Sequence, residues 1–410
     1  EEGVRDFGDA DEIWIDPQFR TKKVTFNFNP NGGEFDGDRR VSKDFGMSFS
    51  MAVPEMWGYS FLGWNIESIL AVSDKYDTSK LPNFTSSNNS YIGKIYNFAT
   101  VPDLIYKIPF DYSVNLVAQW KYETIDAYAM SGSEINGGNT KWIDFSRYQG
   151  LTNVYKTFKV ANTVSKLYVK NMALLENVNF KILGDCTLIF ENCLFKAPNG
   201  ECGVDATGKN LKLVGLGQNI ILGGDKVDFL KSAMSTYCAG IIANSLTIEG
   251  PCNENDYLII TGGNGYNSQS AGVDGSIGGV GIKVNDLIVV SGKVKVFGGK
   301  GGTGAKGADA ASTSSGVGYV GGKGGNGGKG GVGLNVFSSC TVGNNVDFEI
   351  KGGDGGQGGE GGKGGKGADG KFANPAKQGG QGGAGGNGGD GGAAVEKRPI
   401  VNIDEDMISI

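Results

Sequence analysis

The chain has 410 residues, of which 72 are glycine and 10 proline, with a formal net charge of -6 and no histidine. An acidic balance with no basic cluster excludes an electrostatic nucleic-acid binder, and no stretch approaches the roughly 20 apolar residues of a membrane-spanning helix. A chain without histidine also lacks the commonest general base and the usual zinc ligand. Residues 1–20 read as an acidic N-terminal arm with one short apolar unit, Ile13-Trp14-Ile15, suited to pairing as an extra strand.

Residues 21–123 form the next unit. Asn31-Gly32-Gly33 stands between alternating apolar runs, a hairpin signal. Trp57, Tyr59, Phe61, Trp64 and Trp120 are expected to supply a compact aromatic core. Three motifs follow in order: Asn31-Gly32-Gly33, then Gly58-Tyr59-Ser60-Phe61-Leu62-Gly63-Trp64, then the closing Leu116-Val117-Ala118-Gln119-Trp120. On these motifs the stretch resembles the Listeria-Bacteroides repeat, the internalin B-repeat module of bacterial surface proteins. The resemblance implies a small β-grasp-like domain in a secreted or surface-exposed protein. Ile66 to Tyr96 reads as an insertion in that pattern, so the ligand-binding properties of the family are not carried over.

Residues 124–398 carry a longer period of short apolar segments. A first series runs Leu167–Val169, Leu188–Phe190, Leu211–Leu213, Leu246–Ile248, Leu287–Val289 and Cys340–Val342. A second follows it and ends in Gly-Gly: Ile220–Leu222, Ile259–Thr261, Val294–Phe297 and Phe348–Lys351. A third precedes it, at Ile241, Ile282 and Leu334, each after a glycine. Three short strands per repeat, with apolar residues at alternate positions, predict a right-handed parallel β-helix.

The glycine tracts leave this framework at one corner, after the Gly-Gly of the second series, as inserts 298–333 and 352–392. Glycine fills two of every three positions there. A period of three is the polyproline II geometry, and chains without Cβ atoms can lie close enough to hydrogen-bond to each other. Stacked polyglycine II helices are therefore expected, held side by side because successive coils repeat at about 4.8 Å. Collagen shares the period but requires abundant proline. The turns are placed at Ala308–Val320 and Lys371–Gln378. The tracts are similar to the polyglycine sandwiches of bacteriophage tail-fibre adhesins, a likeness which implies that the turns carry recognition.

The six cysteines, Cys186, Cys193, Cys202, Cys238, Cys252 and Cys340, all lie in the second half without metal-ligand spacing. Cys186 and Cys340 fall on strand positions suited to small buried hydrophobes. Asp185, Glu191, Asp205, Glu249 and Asp286 are the acids available for glycosidase-type chemistry, and they read as solvated surface acids. The expected function is that of a nonenzymatic cell-surface or secreted structural or adhesive protein, without metal or cofactor. Its partner is a host or cell-surface glycan or protein, bound through Tyr319, Phe372 and Asn374. The alternative is a filament subunit that binds copies of itself by strand addition. That assembly would use Ile13, Trp14 and Ile15, together with Ile400, Val401 and Ile403 in the strand-like tail 399–410. A polysaccharide-active β-helix enzyme is the third reading.

Overall fold

The computed structural model describes residues 22–44, 52–71, 95–96, 111–128, 130, 133–148, 156–227, 238–313, 317–366 and 377–397. The chain divides into two compact units, Glu1–Glu123 and Thr124–Ile410. It is a mainly β protein, with one five-stranded sheet in the first unit and seventeen strands joined in the second.

In the first unit the strands are β1 (Lys23–Asn29), β2 (Arg40–Asp44), β3 (Tyr59–Ala71), β4 (Ile95–Tyr96) and β5 (Tyr112–Tyr122), in sheet order β2-β1-β5-β3-β4. The central pair β1–β5 is parallel and the other pairings are antiparallel. Alternation in β1 and β5 buries Val24, Phe26, Phe28, Tyr112, Val114, Leu116 and Ala118 on one face. Asn31 and Gly32 both take positive φ, and the Gly33 amide closes the turn on the Pro30 carbonyl. The motif residues meet there: a Cβ on Gly33 would lie 2.5 Å from Cζ2 of Trp120, whose indole N–H donates to the Pro30 carbonyl at 3.2 Å.

Two expectations for this unit need correction. Among the five named aromatics only Trp64 is buried; Trp57, Tyr59, Phe61 and Trp120 are half-buried. The centre is completed instead by Phe28, whose ring lies 5.1 Å from that of Trp64. The supposed insertion also begins inside β3, where Ile66 and Ile69 are core residues.

In the second unit all registered pairings are parallel, and successive tiers of strands lie in register. One column joins Leu167, Leu188 and Leu213, then Ile248, Val289 and Val342. Its neighbour joins Cys186, Leu211, Leu246, Leu287 and Cys340. The first series read from the sequence matches Leu188 to Leu211; the observed register pairs Leu188 with Leu213, because alternation fixes only the face, and a shift of two keeps every apolar side chain inside. The second series stacks Ile221, Ile260, Val296 and Ile350, and the third stacks Val204, Ile241, Ile282, Leu334 and Val395. Nearly all of these columns are fully buried. Asn219, itself buried, accepts the Cys193 amide at 2.9 Å and donates to the Leu216 carbonyl at 2.9 Å, satisfying backbone groups where the chain turns between strands.

Candidate functional site

Each glycine insert leaves its tier as a rising arm and comes back as a returning arm. Within a Gly-Gly-Xaa triplet the two glycines bond differently. The first donates its N–H to the Xaa carbonyl of the arm running the same way in the next tier, as Gly301 does to Asp354, Gly304 to Gln357 and Gly327 to Asn387. The second donates to a carbonyl on an arm running the opposite way. One such chain of bonds runs Gly392 to Gly353 to Gly331 to Gly299 to Gly279 to Gly263, each at 2.7–2.8 Å. The next level, three residues along, runs Gly389 to Gly356 to Gly328 to Gly302 to Ser276. The arms therefore form two hydrogen-bonded layers, rising and returning, cross-bonded to each other.

Glycine is a steric necessity inside this slab. A Cβ at Gly356 would lie 1.9 Å from the Gly302 carbonyl oxygen, and one at Gly355 would lie 1.9 Å from that of Gly389. The Xaa side chains face outward, and the short polar ones accept the Xaa amide of the following tier. Asp274 accepts from Asn326 at 2.6 Å and Asn326 from Asn387 at 3.0 Å. Asp309 accepts from the Lys363 amide at 2.7 Å while Lys306 holds its carboxylate at 2.8 Å. These two contacts, the Lys306 bond first, keep the Asp309 carboxyl below its ordinary range.

The end of the 298–333 insert differs from expectation. Ala308–Thr313 do not turn: Gly322 donates to Ala308, and the amides of Ala310 and Thr313 donate to Lys363 and Lys366, so the rising arm continues to Thr313. The returning arm has begun by Gly318, whose N–H donates to Gln378. Ala308 and Ala311 replace glycine near the arm's end without breaking the pattern. Tyr319 takes a second-glycine position and accepts the Gly365 amide through its carbonyl. Tyr319 is 63% exposed, beside Val317 at 60% and Val320 at 67%. The sequence reading singled out Tyr319 and missed the two valines, although the interruption of the glycine triplets at these positions is visible in the sequence. Phe372 and Asn374 lie outside the described residues, as do Ile13, Trp14, Ile15, Ile400, Val401 and Ile403.

The acids of the parallel stack are engaged in holding neighbouring tiers. Asp185 accepts the Asn210 amide at 2.9 Å and its side-chain Nδ2 at 3.0 Å, which holds its carboxyl below the usual range. Asn244 then donates to Asn210 at 3.0 Å and Asn285 to Asn244 at 2.8 Å. Asp286 accepts from Ser339 at 2.6 Å, Glu249 pairs with Lys212 at 2.6 Å and Asp205 lies 3.9 Å from the Lys181 ammonium of the preceding tier. Asp185 and Asn210 border a shallow groove of about 330 Å³ with Ser165, Thr187, Lys212 and Ser245. Among the described residues no group of histidine, cysteine, aspartate or glutamate could hold a metal ion, and no helix is long and apolar enough to cross a membrane. None of the six cysteines is in a disulfide, and all but Cys252 are buried. Burial pushes the thiols of Cys193 and Cys202 up to about 12 and those of Cys186, Cys238 and Cys340 up to about 11.

No protein-family model, no curated protein and no solved structure matches this chain.

Proposed function

We propose that this chain is a nonenzymatic extracellular structural or adhesive protein, in which a right-handed parallel β-helix supports a slab of polyglycine II arms that presents a contact edge. The reading rests on the exposure of Val317, Tyr319 and Val320 together at the end of hydrogen-bonded arms. Large apolar side chains held in water at the extremity of a stiff element suit contact with another surface. Arm-to-arm bonds recurring every third residue favour polyglycine II, and in-register parallel tiers favour a β-helix. The parallel β1–β5 pair between antiparallel neighbours supports a β-grasp-like first unit. The surface-exposed or secreted location follows from the likeness to the Listeria-Bacteroides repeat.

The partner in this reading is a cell-surface glycan or protein recognised by aromatic stacking on Tyr319. Binding of the purified chain to cells or immobilised glycans tests it. A Tyr319→Ala, Phe372→Ala variant that keeps its melting temperature is expected to lose most of that binding; undiminished binding would refute the assignment.

One observation favours the filament reading as a second possibility. Among the described residues the strand Val346–Lys351 has a registered partner on one side only, Gly292–Phe297, and a free strand edge is a template for another chain. Electron microscopy separates the two readings, since a filament subunit gives polymers and an adhesive tip gives single particles.

A further inference from the structure

Glycine persists in this slab where the molecule itself has no steric need for it. Inside the slab, a Cβ on the first glycine of a triplet would run into a carbonyl oxygen of the arm laid against it. The distances are 2.0 Å from Gly301 to Gly328, 2.0 Å from Gly327 to Gly356 and 1.9 Å from Gly355 to Gly389. Among the described residues, nothing comparable meets the outermost, returning arm of the last insert. The nearest atoms to a Cβ at Gly382, Gly385 and Gly388 are 3.6, 3.6 and 3.8 Å away, which is ordinary van der Waals contact. These residues are exposed, yet the column stays glycine from Gly379 through Gly391.

The backbone along this edge is unpaired as well. Among the described residues, the N–H groups of Gly355, Gly358 and Gly361 find no acceptor, and the carbonyls of Gly383, Gly386 and Gly389 receive no donor. Their counterparts one tier earlier are fully engaged: the amides of Gly301, Gly304 and Gly307 donate, and the carbonyls of Gly322, Gly325 and Gly328 accept. Donors and acceptors thus recur together every three residues along one open edge.

Extending the slab's own pattern by one step sets the requirements on an incoming chain. Every third residue must bring an N–H to the free carbonyls of the returning arm and a carbonyl to the free amides of the rising arm. A polyproline II chain repeats each group at that interval, whereas a β-strand, with its period of two, falls out of step. The residue making the close approach must be glycine. Its counterparts Gly353 and Gly356 already place a Cβ position 2.0 and 1.9 Å from a carbonyl oxygen of the preceding arm in their layer. The same step lays the incoming backbone where a Cβ on Gly382, Gly385 or Gly388 would stand, which accounts for the glycine kept there.

We infer that the outer edge of the last insert binds one further polyproline II chain with glycine at every third residue, supplied by another molecule. This rests on the hydrogen-bond pattern of the slab and is independent of the adhesive reading.

The test is fluorescence anisotropy of a labelled Gly-Gly-Asn repeat peptide titrated with the full chain. Saturable binding is expected, and none for an Ala-Ser-Asn repeat of equal length. A Gly385→Ala, Gly388→Ala variant is expected to keep its melting temperature, because the free edge has room for both methyl groups, and to lose the peptide. Gly382→Ala supplies a second block at another level of the same edge. Absence of saturable binding to the wild-type chain, or equal binding by the folded variants, would overturn the inference.

Discussion

Two glycines in the same tract have opposite requirements. Gly355 and Gly382 hold the same place in the Gly-Gly-Xaa triplet, but a Cβ would lie 1.9 Å from a backbone oxygen at the first and 3.6 Å from the nearest described atom at the second. Gly355→Ala is expected to cost about 1–3 kcal/mol through forced separation of the arms. Gly382→Ala should leave stability unchanged or raise it by up to about 1 kcal/mol, since it restricts the unfolded chain at a residue not in the left-handed region. Thermal melts of the two variants measure the difference. The cysteines allow a second check at this scale: a thiolate-selective reagent at pH 8 should label Cys252 quickly in the native protein and the other five only on unfolding, because their thiols are buried and their ionisation is suppressed. The triplet told which residues are glycine. It could not tell which glycines are covered, because that depends on which arm is last.

Individual strands were legible from apolar alternation, and the register between them was legible only in part. The second and third series, closed by Gly-Gly and opened by Gly, stack as the sequence suggests, for the glycines mark the corner and fix the alignment. The first series has no such marker between Phe190 and Leu211, and there the reading slipped by two residues. Stability in this stack comes from columns such as Leu211, Leu246 and Leu287, where each side chain is packed between equivalents above and below. Leu246→Ala leaves a void with tiers on both sides, and the expected loss is about 2–5 kcal/mol by denaturant titration. In the first unit, the place of Trp120 against the Asn31-Gly32-Gly33 turn was not legible, because it depends on the parallel pairing of two strands far apart in sequence. Nor was the burial of Trp64 ahead of its aromatic neighbours, which depends on packing by Phe28 from another strand.

Across the whole molecule, tiers are tied by charge as well as by packing. Glu349 accepts from Lys295 at 2.5 Å and from Lys351 at 2.6 Å, contacts that hold its carboxyl below the ordinary range, while the Glu349 contact raises the Lys295 ammonium. Asp185 and Asp309 are lowered in the same sense. A carboxyl whose folded value is depressed contributes stability above its unfolded value and loses it as pH falls through the folded one. The raised lysine contributes below its unfolded value and loses that contribution as pH rises beyond its folded value. Stability should therefore be level near neutrality, fall below about pH 4 as the carboxyls protonate, and fall again at strongly alkaline pH. Glu349→Gln should flatten the acid limb of a melting-temperature profile. The central claim is that the glycine arms form one hydrogen-bonded slab, and amide hydrogen exchange resolved by residue tests it most directly. Amides of Gly302, Gly328 and Gly356 should be strongly protected while those of Gly382, Gly385 and Gly388 exchange at once; uniformly rapid exchange through both tracts would contradict the account.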